Sequence, residues 1–221
     1  MGKLTVFTSV TLDGVMQAPG RPDEDTRGGF RHGGWAQPYN DPVMGKVAED
    51  GMAGGGAILL GRRTYEDFAG FWPKQKDNPF TDALNKTQKY VASTTLKEPL
   101  KWANSTLLQG HVSKAVEELK ARPGGDMVVL GSGELVKTLM QHDLIDKYML
   151  LIHPLVLGTG RRLFADGIPM ARLKVVDTKT TTTGVVIVTS SPPDGEPTRG
   201  AYERGTASAH TSSRELVGLV T

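Results

Sequence analysis

The sequence predicts one α/β domain on a mostly parallel, twisted sheet with an antiparallel edge at its C-terminal end. Three observations predict it. Strand-like runs alternate with helix-like runs through most of the chain, the order produced by strand–helix–strand units. The last strand-like runs before residue 190 follow one another without helices, as a hairpin or meander does. Two glycine turns, at Gly61 and at Gly131-Ser132-Gly133, each stand between a strand pattern and a helix pattern.

The elements follow in order. Residues 3–10 alternate and are β-rich, giving the first strand. Residues 11–40 carry many Gly, Pro, Asp and aromatic residues without periodicity. They form a long loop, and loops beyond about 12–15 residues are usually functional or disordered. Asp41 caps a helix that has Pro42 at its first position and runs to about Met52. Gly54-Gly55-Gly56 breaks the chain before a short apolar strand at 57–60. Residues 61–68 are a tight turn into a helix, and strands follow at 88–92 and 105–109. Val112, Ala115, Val116 and Leu119 have helical spacing, and Pro123-Gly124-Gly125 ends that helix. Residues 126–130 are a strand, and 133–141 a helix with Leu135, Val136, Leu139 and Met140 on one side. Residues 145–157 are long and mostly apolar, as a buried central strand is. Residues 173–180 and 185–190 are two strands around Thr181-Thr182-Thr183-Gly184. From Ser191 the composition changes to Ser, Pro and Gly, so 1–190 is expected as the domain and 191–221 as a flexible, disordered tail.

Bulk properties exclude several functions. The 221 residues carry 26 Lys and Arg against 24 Asp and Glu, a net charge of +2 without the basic stripe of a nucleic-acid binder. There is no cysteine, which excludes disulfides, thiolate catalysis and cysteine zinc sites. The five histidines lack metal-ligand spacing, so no metal is expected. No signal-peptide pattern opens the sequence and no window reaches about 18 apolar residues. A cytoplasmic location without membrane or nucleic-acid partners is therefore expected. Walker and Gly-x-Ser-x-Gly motifs are absent.

Four stretches could carry chemistry. After a strand, Gly131-Ser132-Gly133 lets the backbone approach a ligand, and the helix it opens offers free N–H groups and a positive dipole end to a phosphate. Val136 stands where a dinucleotide fingerprint would have its third glycine, and a plain βα turn explains this turn alone equally well. Gly61-Arg62-Arg63-Thr64 repeats the arrangement with two arginines, which suit a pyrophosphate; solvated arginines at a helix start are the alternative. Two such turns favour a ligand beyond the carboxyl ends of the strands. Asp13, in Ser9-Val10-Thr11-Leu12-Asp13-Gly14, falls at the same edge; alone, an Asx turn with Gly14 at positive φ explains it better. The aromatic, glycine-rich stretch 28–39, with Trp35 and Tyr39, either covers a planar ligand or anchors the loop in the core.

These motifs occur in one order: Ser9-x-x-Leu12-Asp13-Gly14, Gly61-Arg62-Arg63-Thr64-Tyr65-Glu66, Val129-Leu130-Gly131-Ser132-Gly133, Leu144-Ile145-Asp146-Lys147-Tyr148, and Pro154-Leu155-Val156-Leu157-Gly158-x-Gly160-x-Arg162-Leu163-Phe164. The set resembles the dihydrofolate-reductase-like family related to the reductase domain of the bacterial bifunctional riboflavin-biosynthesis deaminase-reductase. The resemblance covers about residues 3–190 and implies a three-layer fold with NADPH as cofactor. It implies that Gly61, Arg62, Arg63, Thr64, Gly131, Ser132 and Gly133 lie at the cofactor phosphates, with Gly14, Glu134 and Leu135 beside the cofactor. It implies Ser93 and Thr94 near the 2′-phosphate and the loop after Leu12 beside the nicotinamide. The 154–160 segment, including Leu157 and Gly158, would shape the substrate side, and a homodimer is expected. Two departures stand out. The deaminase domain is missing, and the long 20–40 loop is like that of stand-alone members, so the riboflavin precursor is only one candidate substrate.

The expected function is hydride transfer from NADPH to a C=N or C=O carbon of a small heterocycle, in the manner of a 5-amino-6-(5-phosphoribosylamino)uracil reductase. Asp13 is the candidate proton donor or substrate anchor, with bulk water an equal donor, and Trp35 and Tyr39 wall the substrate pocket. The alternative is a nucleotide-binding sensor or scaffold of this fold without turnover.

Overall fold

The structure is a computed structural model that describes residues 1–53, 56–76 and 79–193. The strands are β1 (Leu4–Thr11), β2 (Ala57–Gly61), β3 (Lys89–Ala92), β4 (Ser105–Leu108), β5 (Met127–Leu130), β6 (Lys147–His153), β7 (Lys174–Thr180) and β8 (Val186–Ser191). The helices are α1 (Pro42–Ala53), α2 (Arg62–Phe71), α3 (Pro79–Lys86), α4 (Val112–Ala121) and α5 (Gly133–Gln141). The sheet order is β4-β3-β2-β5-β1-β6-β8-β7. Every pair is parallel from β4 across to β6, and β8 runs antiparallel to both its neighbours.

Alternation along β2 shows how the sheet becomes a three-layer sandwich. Leu59 faces one core with Val116, Leu119, Leu135, Val136 and Leu139, supplied by α4 and α5. Its neighbours Ile58 and Leu60 face the other with Tyr65, Leu84 and Trp102, under α2 and α3. α1 covers the same face farther along, where Val47 meets Leu151 and Ile187. Asp41 caps α1 as expected: Val43 N donates to Oδ1 at 2.8 Å. Its other oxygen accepts from the Thr182 backbone N–H and hydroxyl, which ties the α1 start to the β7–β8 turn.

Three sequence expectations change. β6 ends at His153, short of residue 157, because Pro154 has no N–H for the ladder. α3 lies in a stretch read as having no element; Pro79 at its start and Asp82 in its first turn were the available signals. The 11–40 loop is structured: it holds short 3-10 turns at Arg27–Gly29 and Gln37–Tyr39, and Val15 bridges to Arg162. The expectation of a disordered tail lies outside the described residues from 194 onward.

Candidate active site

Chain connections diverge between the neighbouring strands β2 and β5. β2 leads through α2 to β3 on one side, and β5 leads through α5 past β1 to β6 on the other. Ligands of parallel α/β sheets bind outside the carboxyl ends at such a switch point. A groove of about 1130 Å³ opens there, lined by Thr8 and Ser9 of β1, the ends of β2 to β5, and the starts of three helices.

The two glycine turns meet at this point. Gly131 (φ +56°) and Ser132 (φ +62°) are both left-handed, which folds the chain sharply out of β5 into α5. The Ser132 hydroxyl then crosses to the other turn. It accepts from Gly61 N at 2.9 Å and lies 2.9 Å from Thr64 Oγ1 and 3.0 Å from Leu130 O, either of which can take its proton. A Cβ on Gly61 would stand 3.4 Å from the Ser132 side chain, and one on Gly131 3.5 Å from Thr64. The resemblance puts Ser132 at the cofactor phosphates; in the structure its hydroxyl holds the two turns in register.

No side chain caps α2, α4 or α5, whose N-cap residues Gly61, His111 and Ser132 all line the groove. The first-turn N–H groups of each helix have no partner inside the helix. Three positive dipole ends therefore converge on one groove, a setting for an anion of extended shape. Arg62 pairs with Glu66 at 2.9 Å, while Arg63 is exposed and has no ion pair among the described residues. Ser93, Thr94, Thr95 and His111 line the groove near β3 and β4, and β4 lies two strand spacings, about 10 Å, from β2.

Gly61, Arg62, Arg63, Thr64, Ser93, Thr94, Gly131, Ser132, Gly133, Glu134 and Leu135 all line this groove. Gly14 does not: it sits in a tight turn, donating to Thr11 O and accepting from Leu163 N. Asp13 is also outside the lining. Its Oδ1 accepts from the Thr11 hydroxyl at 2.6 Å and Leu157 N at 3.2 Å, and its Oδ2 from Gly158 N at 2.9 Å. The Thr11 hydroxyl and these two N–H groups outweigh partial burial and hold the carboxyl at about 2. Where the sequence offers Asp13 as a proton donor or substrate anchor, the structure places it as a clamp between the β1 turn and the 154–160 segment. Leu157 and Gly158 serve that clamp and do not line the groove.

Trp35 and Tyr39 are corrected as well. Trp35 is buried and donates from Nε1 to Gln17 O at 2.7 Å, and both rings stand edge-on to His153. They anchor the loop in the core. The loop segment that reaches the groove is 16–27, including Met16, Gln17 and Arg27. Arg21, which sequence reasoning missed, pairs with Asp67 of α2 and lies 4.2 Å over the Phe71 ring. Nothing local in the sequence marks that pairing across 46 residues.

The model of the RibD C-terminal domain matches residues 2–187, nearly all of the described chain. The chain belongs to the RibD C-terminal domain family. A curated relative, the uncharacterized protein YyaP of Bacillus subtilis (strain 168), is 34% identical over 134 residues, 58% of this chain and 70% of the relative. Among solved structures, a putative riboflavin biosynthesis protein from Shewanella sp. PV-4 superposes with TM-score 0.66 at 22% identity, covering 86% of this chain and 98% of that one. Dihydrofolate reductase from Enterococcus faecalis, complexed with NADP(H) and RAB-propyl, superposes with TM-score 0.59 at 14% identity, covering 87% of this chain and 98% of that one. A pyrimidine reductase-like protein from Corynebacterium diphtheriae gives 0.57 at 11%, covering 86% and 92%. The fold is therefore dihydrofolate-reductase-like. Among the described residues, no helix is long and apolar enough to cross a membrane.

Proposed function

We propose that this protein is an NADPH-dependent reductase that delivers hydride to a C=N or C=O carbon of a small heterocycle. The observation that carries the reading is the convergence of three uncapped helix N-termini on one groove at the switch point, with the two glycine turns locked together by Ser132. Family membership and the NADP(H)-complexed neighbour of the same fold support it. So does the groove volume, which exceeds the range of about 300–1,000 Å³ usual for small ligands and suits a dinucleotide.

In this reading the first-turn N–H groups at Arg62–Thr64 and Gly133–Leu135 hold the pyrophosphate. Arg63, Ser93 and Thr94 hold the 2′-phosphate, and Thr8, Ser9 and the 16–19 segment border the nicotinamide. When bound, the nicotinamide supplies the hydride. The chain binds and orients the two reactants and excludes water with the 16–27 segment. Solvent supplies the proton. A 5-amino-6-(5-phosphoribosylamino)uracil-like compound is one candidate substrate. The homodimer expected from the sequence would use β7, whose Val175 and Val176 are exposed at the sheet edge.

The test is NADPH oxidation followed by absorbance against pyrimidine, pteridine and carbonyl compounds, using NADPH deuterated at the transferred position. The reading expects oxidation with at least one of them and deuterium on the reduced carbon. Tight NADPH binding without oxidation across the panel would favour a sensor of the same fold.

A further inference from the structure

On the α1–α2 face of the sheet the two middle strands are left half-covered. α2 packs over β2 and β3, where Tyr65 meets Ile58, Leu60 and Val91. α1 packs over β6 and β8, where Val47 meets Leu151 and Ile187. Between them lie β5 and β1. The centres of the β2–β3 and β6–β8 pairs are four strand spacings apart, about 19 Å, which is roughly twice the separation of packed helices. A cleft therefore remains over β5 and β1. The alternation along both strands shows it. Leu4, Val6, Val10, Met127 and Val129 are buried on the opposite face, under α4 and α5, whereas Thr5, Phe7, Ser9, Val128 and Leu130 on this face are only half-buried.

The groove at the switch point reaches into this cleft, since Phe7, Ser9 and Leu130 all line it. β5 accompanies β1 only as far as Phe7, which pairs with Leu130, and Gly131 then turns away. Ser9 lies two residues farther, about 7 Å along β1, beside the edge that β5 has left. Its hydroxyl makes no hydrogen bond among the described residues, and it is not one of the polar side-chain atoms closed off from solvent. Ser132 and Ser93 differ in this: the Ser132 hydroxyl accepts from Gly61 N, and that of Ser93 from Thr95 N and Leu96 N, so each holds a turn. The strip limits what can lie on it. β1 and β5 place no charged side chain there, so an ion would lose water without gaining a counter-charge from these strands. Phe7 and Leu130 offer apolar surface suited to the face of a ring. Ser9 adds one hydroxyl, which can donate or accept.

We infer that Ser9 is a specificity residue that hydrogen-bonds the substrate ring, with the ring lying in the cleft over Phe7. The ring is planar and uncharged where it meets β1, and it presents a carbonyl, a ring nitrogen or an N–H to the Ser9 hydroxyl. The inference rests on the reductase reading above and assigns this hydroxyl to the substrate rather than to the cofactor.

The test uses NADPH-loaded protein and two probes: lumazine, whose two fused rings carry carbonyls and N–H groups, and naphthalene, whose two fused rings carry no hydrogen-bonding atom. Equilibrium dialysis gives the affinity of each ring for wild type, Ser9→Ala and Phe7→Leu, with NADPH affinity measured separately for each protein. Ser9→Ala is expected to weaken lumazine about three- to tenfold, the range of one hydrogen bond, and to leave naphthalene and NADPH within about twofold. Phe7→Leu is expected to weaken both rings alike, since it removes the flat surface and no hydrogen bond. Absence of lumazine binding to wild type, an unchanged lumazine affinity in Ser9→Ala, a loss there that is equal for the two rings, or a loss confined to NADPH would each overturn the inference while NADPH binding to wild type stands. Failure of wild type to bind NADPH would instead overturn the reductase reading.

Discussion

Replacing Ser132 by Ala probes the joint on which the groove depends. The hydroxyl is the acceptor for Gly61 N at 2.9 Å and is within hydrogen-bond reach of Thr64 Oγ1 and Leu130 O. Deletion removes the Gly61 bond and one donated bond, and leaves a half-buried N–H without a partner. Net bonds of about 1 kcal/mol each, with a further cost for the stranded donor, give a loss of about 2 kcal/mol. For a domain of this size that is roughly 4–8 °C in Tm. Ser132→Gly loses the same bonds but relieves a left-handed non-glycine residue at φ +62°, a strain of about 1 kcal/mol. The glycine variant is therefore expected to be more stable than the alanine variant, although alanine is the better helix former. Both should weaken NADPH, because the two turns lose their register. Urea unfolding gives the stability order, and NADPH fluorescence gives the affinity. An alanine variant as stable as wild type, or more stable than the glycine variant, would refute the account of this joint.

Other consequences can be checked alongside. His153 is fully buried, its two ring nitrogens have no partner among the described residues, and burial pushes it from 6.5 down to about 4. Above pH 6.5 both states are neutral; between 6.5 and 4 only the unfolded chain takes the proton, so stability falls as pH falls, by up to about 3 kcal/mol. His153→Phe should flatten that slope in urea titrations, and an unchanged slope would assign it elsewhere. Asp13→Asn should lower Tm, through loss of charge-assisted bonds worth about 1–3 kcal/mol, while NADPH affinity stays within about twofold; a large loss of affinity would put Asp13 back in the site. Arg63→Ala should weaken NADPH about tenfold and NADH little, since an arginine–phosphate contact is charge-assisted; equal losses would exclude a 2′-phosphate role. Lys89→Met should destabilise strongly, because the buried ammonium donates to the carbonyls of Leu84 and Thr87 at 2.7 and 2.6 Å near the end of α3.

What was legible in the sequence was local. Gly131, Gly61 and the Asp41-Pro42 start reveal themselves because a positive φ, a close approach or a helix cap depends on the residue itself and its near neighbours. The apolar periodicity of residues 133–141 gave α5 with the observed ends. What was not legible depends on partners far along the chain. Ser132 reaches Gly61 across 71 residues, and Asp13 reaches Gly158 across 145. The first follows from β5 lying beside β2 and the second from β6 lying beside β1, neighbours in the sheet that no local pattern encodes. The sequence leaves Trp35 and Tyr39 open between pocket and core, and the structure sets both edge-on to the buried His153 at the end of β6, a partner far along the chain. α3 is faint in the sequence because eight residues give barely two turns of periodicity.

The central claim is that the groove between β2 and β5 holds a nicotinamide dinucleotide at its two glycine turns. The most direct measurement is a fluorescence titration of NADPH into wild-type protein and into Gly131→Val, whose left-handed backbone and 3.5 Å approach to Thr64 leave little room for a side chain. The account predicts saturable binding in the micromolar range for wild type and a loss of at least about tenfold in the variant. No binding to wild type at about 1 mM, or equal binding by both proteins, would contradict it.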